Sequence, residues 1–276
     1  MESMIVLVDS GATKAEWCVL EGDRIRDRFQ TPGINLSTQS RIRAESILTD
    51  AARRCHEAGE NISAVHFFGA GLLAGEDGPI RALFPDAEIE AASDLLAAAR
   101  AVCGHEAGIA CILGTGSNSC LYDGREIVRN IHPCGFILGD EGSAACLGKR
   151  FLGAWLKERV PETVAEAFSQ EYKLDYPSVV QAVYRGETPA RYLGSFAPWI
   201  LKWHGRDGWM TEMIEDNLRD FIDLFLRQYD PAKYPTGVVG SFGAACEPIL
   251  RKIAPDLTFS RFLASPMDGL VRYYTR

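Results

Sequence analysis

Twice in this chain an apolar strand ends in a glycine- and hydroxyl-rich turn and doubles back into a second strand. The first copy reads Ile5-Val6-Leu7-Val8-Asp9-Ser10-Gly11-Ala12-Thr13-Lys14. The second reads Ile109-Ala110-Cys111-Ile112-Leu113-Gly114-Thr115-Gly116-Ser117-Asn118-Ser119. After each, the chain runs out and returns through a glycine hairpin, at Glu21-Gly22-Asp23 and at Tyr122-Asp123-Gly124-Arg125. Glycines in such turns free backbone N–H groups, and Ser/Thr hydroxyls add donors, so each turn is suited to phosphate oxygens. One turn of this kind says little. Two in matching contexts, one in each half of the chain, predict two half-domains gripping one polyphosphate between them.

The chain has 276 residues, long for one core and comfortable for two. Its net charge of -8 argues against sequence-independent binding of nucleic acid or an anionic membrane, which draws on basic surface. That charge is compatible with ATP, because backbone amides and a divalent metal can neutralise phosphates without a lysine cluster. No apolar run approaches the roughly 18–20 residues of a bilayer span. The opening Met1-Glu2-Ser3-Met4 lacks the basic and apolar regions of a secretory signal. The eight cysteines are scattered with no Cys-x-x-Cys pair, which predicts reduced thiols in a cytoplasmic protein. His132 and Cys134 are the one pair worth checking for a metal.

Strands are expected near 4–9, 15–21, 24–31, 64–68 and 88–90, with helices near 38–58, 76–84 and from Asp94 through Ala101. In the first helix Ile42, Ile47, Leu48 and Ala51 fall roughly on one face. This order predicts a mixed sheet covered by helices. The pattern restarts at Ile109, after Gly104, His105, Glu106 and Gly108, so domains are expected at 1–106 and 107–276, the last few residues packing back on the first. In the second half, apolar residues from Met213 to Leu226 recur at helical spacing, and 161–212 carries no readable motif beyond packing residues.

Four places could carry chemistry. Asp9 ends the first strand just before the phosphate-type turn, where a carboxylate either holds Mg²⁺ or closes the strand as an Asx-turn. Asp94 follows a short strand and Ser93 and opens an alanine-rich helix. Either residue suits an N-cap, and the carboxyl end of a strand in an α/β sheet is also where catalytic groups collect. Gly139-Asp140-Glu141-Gly142-Ser143 sets two carboxylates between glycines ahead of a helix, as ligands for sugar hydroxyls or metal-bound water, or as an acidic cap. Gly240-Ser241 follows Val238-Val239 and would let a flat base approach the backbone, or serves only as a strand-to-helix turn. A Gly-x-x-x-x-Gly-Lys-Ser/Thr loop is absent from the sequence.

Together these segments resemble the N-acetylglucosamine kinase branch of the BadF/BadG/BcrA/BcrD-type ATPase family, within the sugar kinase, heat-shock protein and actin superfamily. The matching pieces, in the family's order, are Asp9 to Lys14, Gly33-Ile34-Asn35, Gly69-Ala70-Gly71, Ser93-Asp94, Gly114 to Asn118, Gly135 to Ser143 and Gly240-Ser241. The resemblance implies an α/β protein of two ribonuclease H-like (actin-like ATPase) domains with mixed sheets and a central nucleotide cleft. It implies ATP-dependent phosphorylation of the 6-hydroxyl of an amino sugar, N-acetylglucosamine or a relative such as N-acetylmuramic acid. Carried over, Asp94 is the general base, and Asn35, Ser117, Asn118, Gly135 and Asp140 contact the sugar. Ser10, Gly11, Thr13, Lys14, Gly114, Thr115, Gly116, Gly240 and Ser241 contact ATP, Asp9 stands near Mg²⁺, and family habit suggests a homodimer.

The chain departs from the family pattern in part of the sugar wall. Leu36-Ser37 follow Asn35 where animal N-acetylglucosamine kinases have His-Trp, and Ala70 stands for a serine. Cys134 stands for a tryptophan and Phe136 for a polar residue. Two rival functions stand beside the kinase, the first from this altered wall and the second from the shared family fold. One is a regulator that binds sugar and ATP with weak catalysis. The other is an ATP-driven activator of a 2-hydroxyacyl-CoA dehydratase, which would need cluster-binding cysteines in glycine-flanked positions that these cysteines do not occupy.

Overall fold

The computed structural model describes residues 3–11, 14–34, 39–70, 72, 75 and 77–275. Their contacts divide the chain into two compact units, one of Met1–Glu106, Asp123–Ile127 and Ser265–Arg276, the other of Ala107–Tyr122 and Val128–Ala264.

The first unit is built on β1 (Met4–Ser10), β2 (Lys14–Glu21), β3 (Arg24–Pro32), β4 (Ile62–Gly69) and β5 (Glu88–Ser93). They form one sheet in the order β3-β2-β1-β4-β5, antiparallel across the first three and parallel from β1 to β5. The parallel steps need crossovers, supplied by α1 (Arg41–Ala58) and α2 (Gly78–Leu83), and α3 (Asp94–Cys103) follows β5. Trp17 anchors the core on one face, stacked on Phe29 at 5.8 Å and edge-on to Phe67 at 6.4 Å. Its indole Nε1–H donates to Thr31 Oγ1 at 3.1 Å, so the one polar atom of a fully buried ring is satisfied. Helix α1 covers this face with Ala44, Leu48, Ala51, Ala52 and Cys55. Ile42, expected on that face, is 84% exposed. The helix begins at Arg41, so Ile42 lies in its first turn, and the small Ala44 makes the close contact instead.

The second unit repeats the plan. Its strands are β6 (Gly108–Leu113), β7 (Ser117–Tyr122), β8 (Ile127–Asn130), β9 (Thr236–Val239) and β10 (Phe259–Leu263), ordered β10-β9-β6-β7-β8. Reading β6 to β10 in place of β1 to β5 gives the same order, with β6–β7 antiparallel and β6, β9 and β10 parallel. Between β8 and β9 lie α4 (Gly135–Leu138), α5 (Ala144–Trp155), α6 (Glu162–Tyr172), α7 (Tyr176–Arg185), α8 (Pro189–Gly194), α9 (Ala197–Leu201) and α10 (Gly208–Leu224). The motif-free stretch 161–212 thus supplies four helices and the start of a fifth. Its aromatic rings pack the core, with Phe168 against Phe151 at 4.8 Å and Trp199 at 5.1 Å. The helix expected from Met213 starts earlier, at Gly208, because the Asp207 carboxylate accepts the Met210 N–H at 2.9 Å as an N-cap. Helices α11 (Ser241–Ala245) and α12 (Glu247–Ile253) separate β9 from β10, and α13 (Met267–Tyr274) belongs to the first unit. Among the described residues no helix is long and apolar enough to cross a membrane.

Candidate active site

In the first unit the candidate residues gather at the carboxyl ends of three adjacent parallel strands. The pairing places Ser10 beside Gly69 and Gly69 beside Ser93, in one row across β1, β4 and β5. Asp9 lies one residue before that row and Asp94 one residue after it. Ser93 is the N-cap of α3, its hydroxyl accepting the Leu96 N–H at 3.4 Å. Asp94 is therefore the first helical residue, not the cap. Both aspartates are half-buried. Burial, then the charges of Asp94 and Glu16, push the Asp9 pKa up to about 7, with Lys14 opposing. Burial also raises the pKa of Asp94.

Glu16 was not legible as a site residue. It lies directly opposite Asp9 in the β1–β2 register, so both side chains leave the same face of the sheet. Counting equal steps outward from the Ala12-Thr13 pair would have matched them. Glu16 is buried and its oxygens are committed: Oε1 accepts from Arg28 Nε at 2.8 Å, and Oε2 accepts from Ser265 Oγ at 2.8 Å.

Ser10 is fully buried, and its hydroxyl both donates to the Ile34 carbonyl and accepts the Ile34 N–H, each at 2.9 Å. It clamps the Gly33-Ile34 segment to the end of β1. Gly11 N–H donates to the Lys14 carbonyl at 3.0 Å, closing the turn, and Lys14 is exposed at the start of β2. Thr13, Asn35 and Gly71, named from the sequence, lie outside the described residues.

In the second unit three turns meet at the carboxyl ends of β6 and β9. Gly114 N–H donates to the Gly116 carbonyl at 2.9 Å. The carbonyls of Gly114 and Thr115 accept the N–H groups of Ala144 and Ala145, each at 3.0 Å, so the turn sits on the first turn of α5. Thr115 is left exposed. Asp140 is 7% exposed and takes a left-handed φ of 58°. Its Oδ1 accepts the Ser117 N–H at 3.4 Å, and a Cβ on Gly116 would stand 3.0 Å from its Oδ2. Burial raises the Asp140 pKa, against the pull of the Ser117 N–H and Lys149. The Ser117 hydroxyl is buried beside it with no protein partner. Asn118 Oδ1 accepts from Asn130 Nδ2 at 2.9 Å, which fixes its amide. Gly135 has φ 71° and opens α4 after Cys134, itself at φ 62°. Gly240, at φ 122°, lies so close to β6 that a Cβ would stand 2.3 Å from the Leu113 carbonyl oxygen; exposed Ser241 then starts α11.

The donor chemistry near Asp9 fits Mg²⁺. Two carboxylates whose pKa values are raised by burial, one further by the charge of the other, are relieved by a hard divalent cation. Among the described residues no group of three or more His, Cys, Asp or Glu could hold a metal alone. Mg²⁺ suits a two-carboxylate site because it keeps several waters and takes phosphate oxygens. His132 and Cys134 belong to no such group among the described residues.

Two copies of one five-stranded mixed sheet, each with its loops at the carboxyl ends of the parallel strands, define the actin-like ATPase class of fold. The profile of the BadF/BadG/BcrA/BcrD ATPase family matches residues 7–230, and the chain belongs to that family. Among solved structures, a candidate N-acetylglucosamine kinase from Porphyromonas gingivalis is 38% identical, with a TM-score of 0.91 over 99% of this chain and 98% of that one. A candidate N-acetylglucosamine kinase from Chromobacterium violaceum shares the fold at 18% identity and a TM-score of 0.76, over 99% of both chains. So does a ROK hexokinase from Thermus thermophilus, at 18% identity and a TM-score of 0.51, over 98% of this chain and 96% of that one. No curated protein matches.

Proposed function

We propose that the protein transfers the γ-phosphoryl group of ATP to the 6-hydroxyl of an amino sugar, N-acetylglucosamine or a close relative such as N-acetylmuramic acid. The observation that carries this reading is Asp9 and Asp94 at the carboxyl ends of β1 and β5, the two parallel strands that flank β4, each carboxylate partly withdrawn from water. The 38% identity to the candidate kinase of P. gingivalis over the full chain supports the choice of substrate class.

In this reading Asp94 accepts the proton that leaves the sugar hydroxyl as the oxygen attacks phosphorus. Burial raises its proton affinity, which suits a base that acts late and need accept only one proton. Asp9 would hold Mg²⁺, which when bound neutralises the phosphate charge. Positioning and charge neutralisation do most of the work in phosphoryl transfer, so fixed side chains matter more than reactive ones. Asp140, Ser117 and Asn118 would take sugar hydroxyls. Asp140 and Asn118 are already oriented by protein hydrogen bonds, while the Ser117 hydroxyl has a free valence to offer. The Thr115 turn and Gly240-Ser241 would receive nucleotide. A homodimer in the cytoplasm belongs to the same reading.

The test is ADP release by the purified protein with Mg²⁺-ATP and, in turn, N-acetylglucosamine, N-acetylmuramic acid, glucosamine, N-acetylmannosamine and glucose. An amino sugar should stimulate release. Asp94→Asn should lower that rate by about 10²–10⁴-fold, the usual worth of a positioned base, while ATP still binds. A parent protein that binds sugar and ATP without stimulated release would favour the regulator. Normal turnover by Asp94→Asn would remove Asp94 from the role of base.

A further inference from the structure

We infer that the segment Ser265–Tyr274 is a positioning device for the two aspartates, with Tyr274 as its key residue; the inference rests on the kinase reading only for its kinetic consequence. Asp94 sits at the joint between β5 and α3. Glu90 lies on the strand before it and Arg100 on the helix after it. Their side chains close that joint as a bidentate pair, Nη1 to Oε2 at 2.7 Å and Nη2 to Oε1 at 2.6 Å. The Tyr274 hydroxyl completes the ring, accepting from Arg100 and donating to Glu90 Oε2 at 3.0 Å. His66 Nδ1 meets the same Oε2 at 2.7 Å from β4.

The body of α13 lies close against α3. A Cβ on Gly269 would stand 2.5 Å from both the Cβ and the carbonyl oxygen of Ala101, so the approach depends on glycine. A second set of contacts ties the start of the segment to β2. Arg28 bridges Glu16 and Asp268, and Ser265 donates to Glu16, the residue opposite Asp9. One short segment thus holds both the joint that carries Asp94 and the neighbour of Asp9. Ordinary packing by Met267 and Leu270, buried against Leu7, Phe68 and Ala97, explains why α13 docks. It does not explain polar tethers at both ends that converge on the two site-bearing elements. Small displacements of a base lower the rate of reaction more than they weaken binding.

Tyr274→Phe keeps the ring and its packing and removes only the hydroxyl. Turnover, KM for ATP, thermal midpoint and hydrogen exchange of residues 94–103 are measured for the parent and the variant. Expected are a kcat lower by about tenfold with KM for ATP within about twofold, and exchange in 94–103 faster by about fivefold while 4–10 is unchanged. Gly269→Ala, which pushes α13 off α3, should act in the same direction and more strongly. A lower melting temperature with parental kcat and parental exchange in 94–103 would make the hydroxyl merely structural and overturn the inference. A parent enzyme with no sugar-stimulated turnover would refute the kinase reading alone. Exchange is read without substrate and decides the clamp in that case too.

Discussion

Asp9→Asn should flatten the pH dependence of stability. Asp9 has its pKa pushed from an ordinary 3.8 to about 7 by burial and by the charges of Asp94 and Glu16. Between those values the folded protein keeps a proton that the unfolded chain has lost. Stability from this group is fully present below pH 3.8 and drains away as pH rises through about 7. The gap is 7 − 3.8, about 3 units, so ionised Asp9 disfavours the fold by about 4 kcal/mol at high pH. From pH 5.5 to 7 the loss is about 2 kcal/mol, or 1.5 units at about 1.4 kcal/mol each. Urea unfolding followed by circular dichroism, with chelator present, at pH 5.5 and 8 measures it. The parent should lose about 2 kcal/mol more than Asp9→Asn across that range. Asp94 shifts in the same direction, so the difference between the two proteins, not the parent's slope, isolates Asp9. Mg²⁺ at pH 8 should stabilise the parent and leave the variant nearly unmoved. Equal slopes in parent and variant would show that Asp9 titrates as an ordinary surface carboxylate and would refute the burial reading.

Gly240→Ala would place a methyl group 2.3 Å from the Leu113 carbonyl on a backbone at φ 122°. It should destabilise by about 2–4 kcal/mol in thermal unfolding and weaken nucleotide binding. Ser10→Ala leaves the Ile34 N–H and carbonyl without their buried partner. It should cost about 1–3 kcal/mol and, by freeing the segment that leads to Asn35, raise the sugar KM more than it lowers kcat.

The duplicated architecture was readable because strand periodicity, glycine turns and helix starts are local properties. A strand, a phosphate-type turn and a return strand needed only the residues from Ile5 to Glu21 and from Ile109 to Tyr122, and both hairpins formed there. Ser93-Asp94 was also local, but its two open roles were separated only when Ser93 took the cap and released Asp94 from it. Stretch 161–212 was opaque because helices α6 to α9 are short and irregularly spaced. Their folding depends on burying Phe168 and Trp199 against Phe151, and Phe196 against Phe168, partners no local pattern identifies.

By itself, then, the sequence determined the repeat of two mixed sheets, the turns at their strand ends and the residue types that sit there, since each depends on periodicity and backbone permissiveness within a few neighbours. Tertiary structure alone decided that Ser265 tethers Glu16, that Asp140 lies under Gly116, and that Tyr274 closes the joint around Asp94. Those pairings join residues far apart in the chain. They exist because strand register and close helix packing fix distances that no sequence spacing encodes.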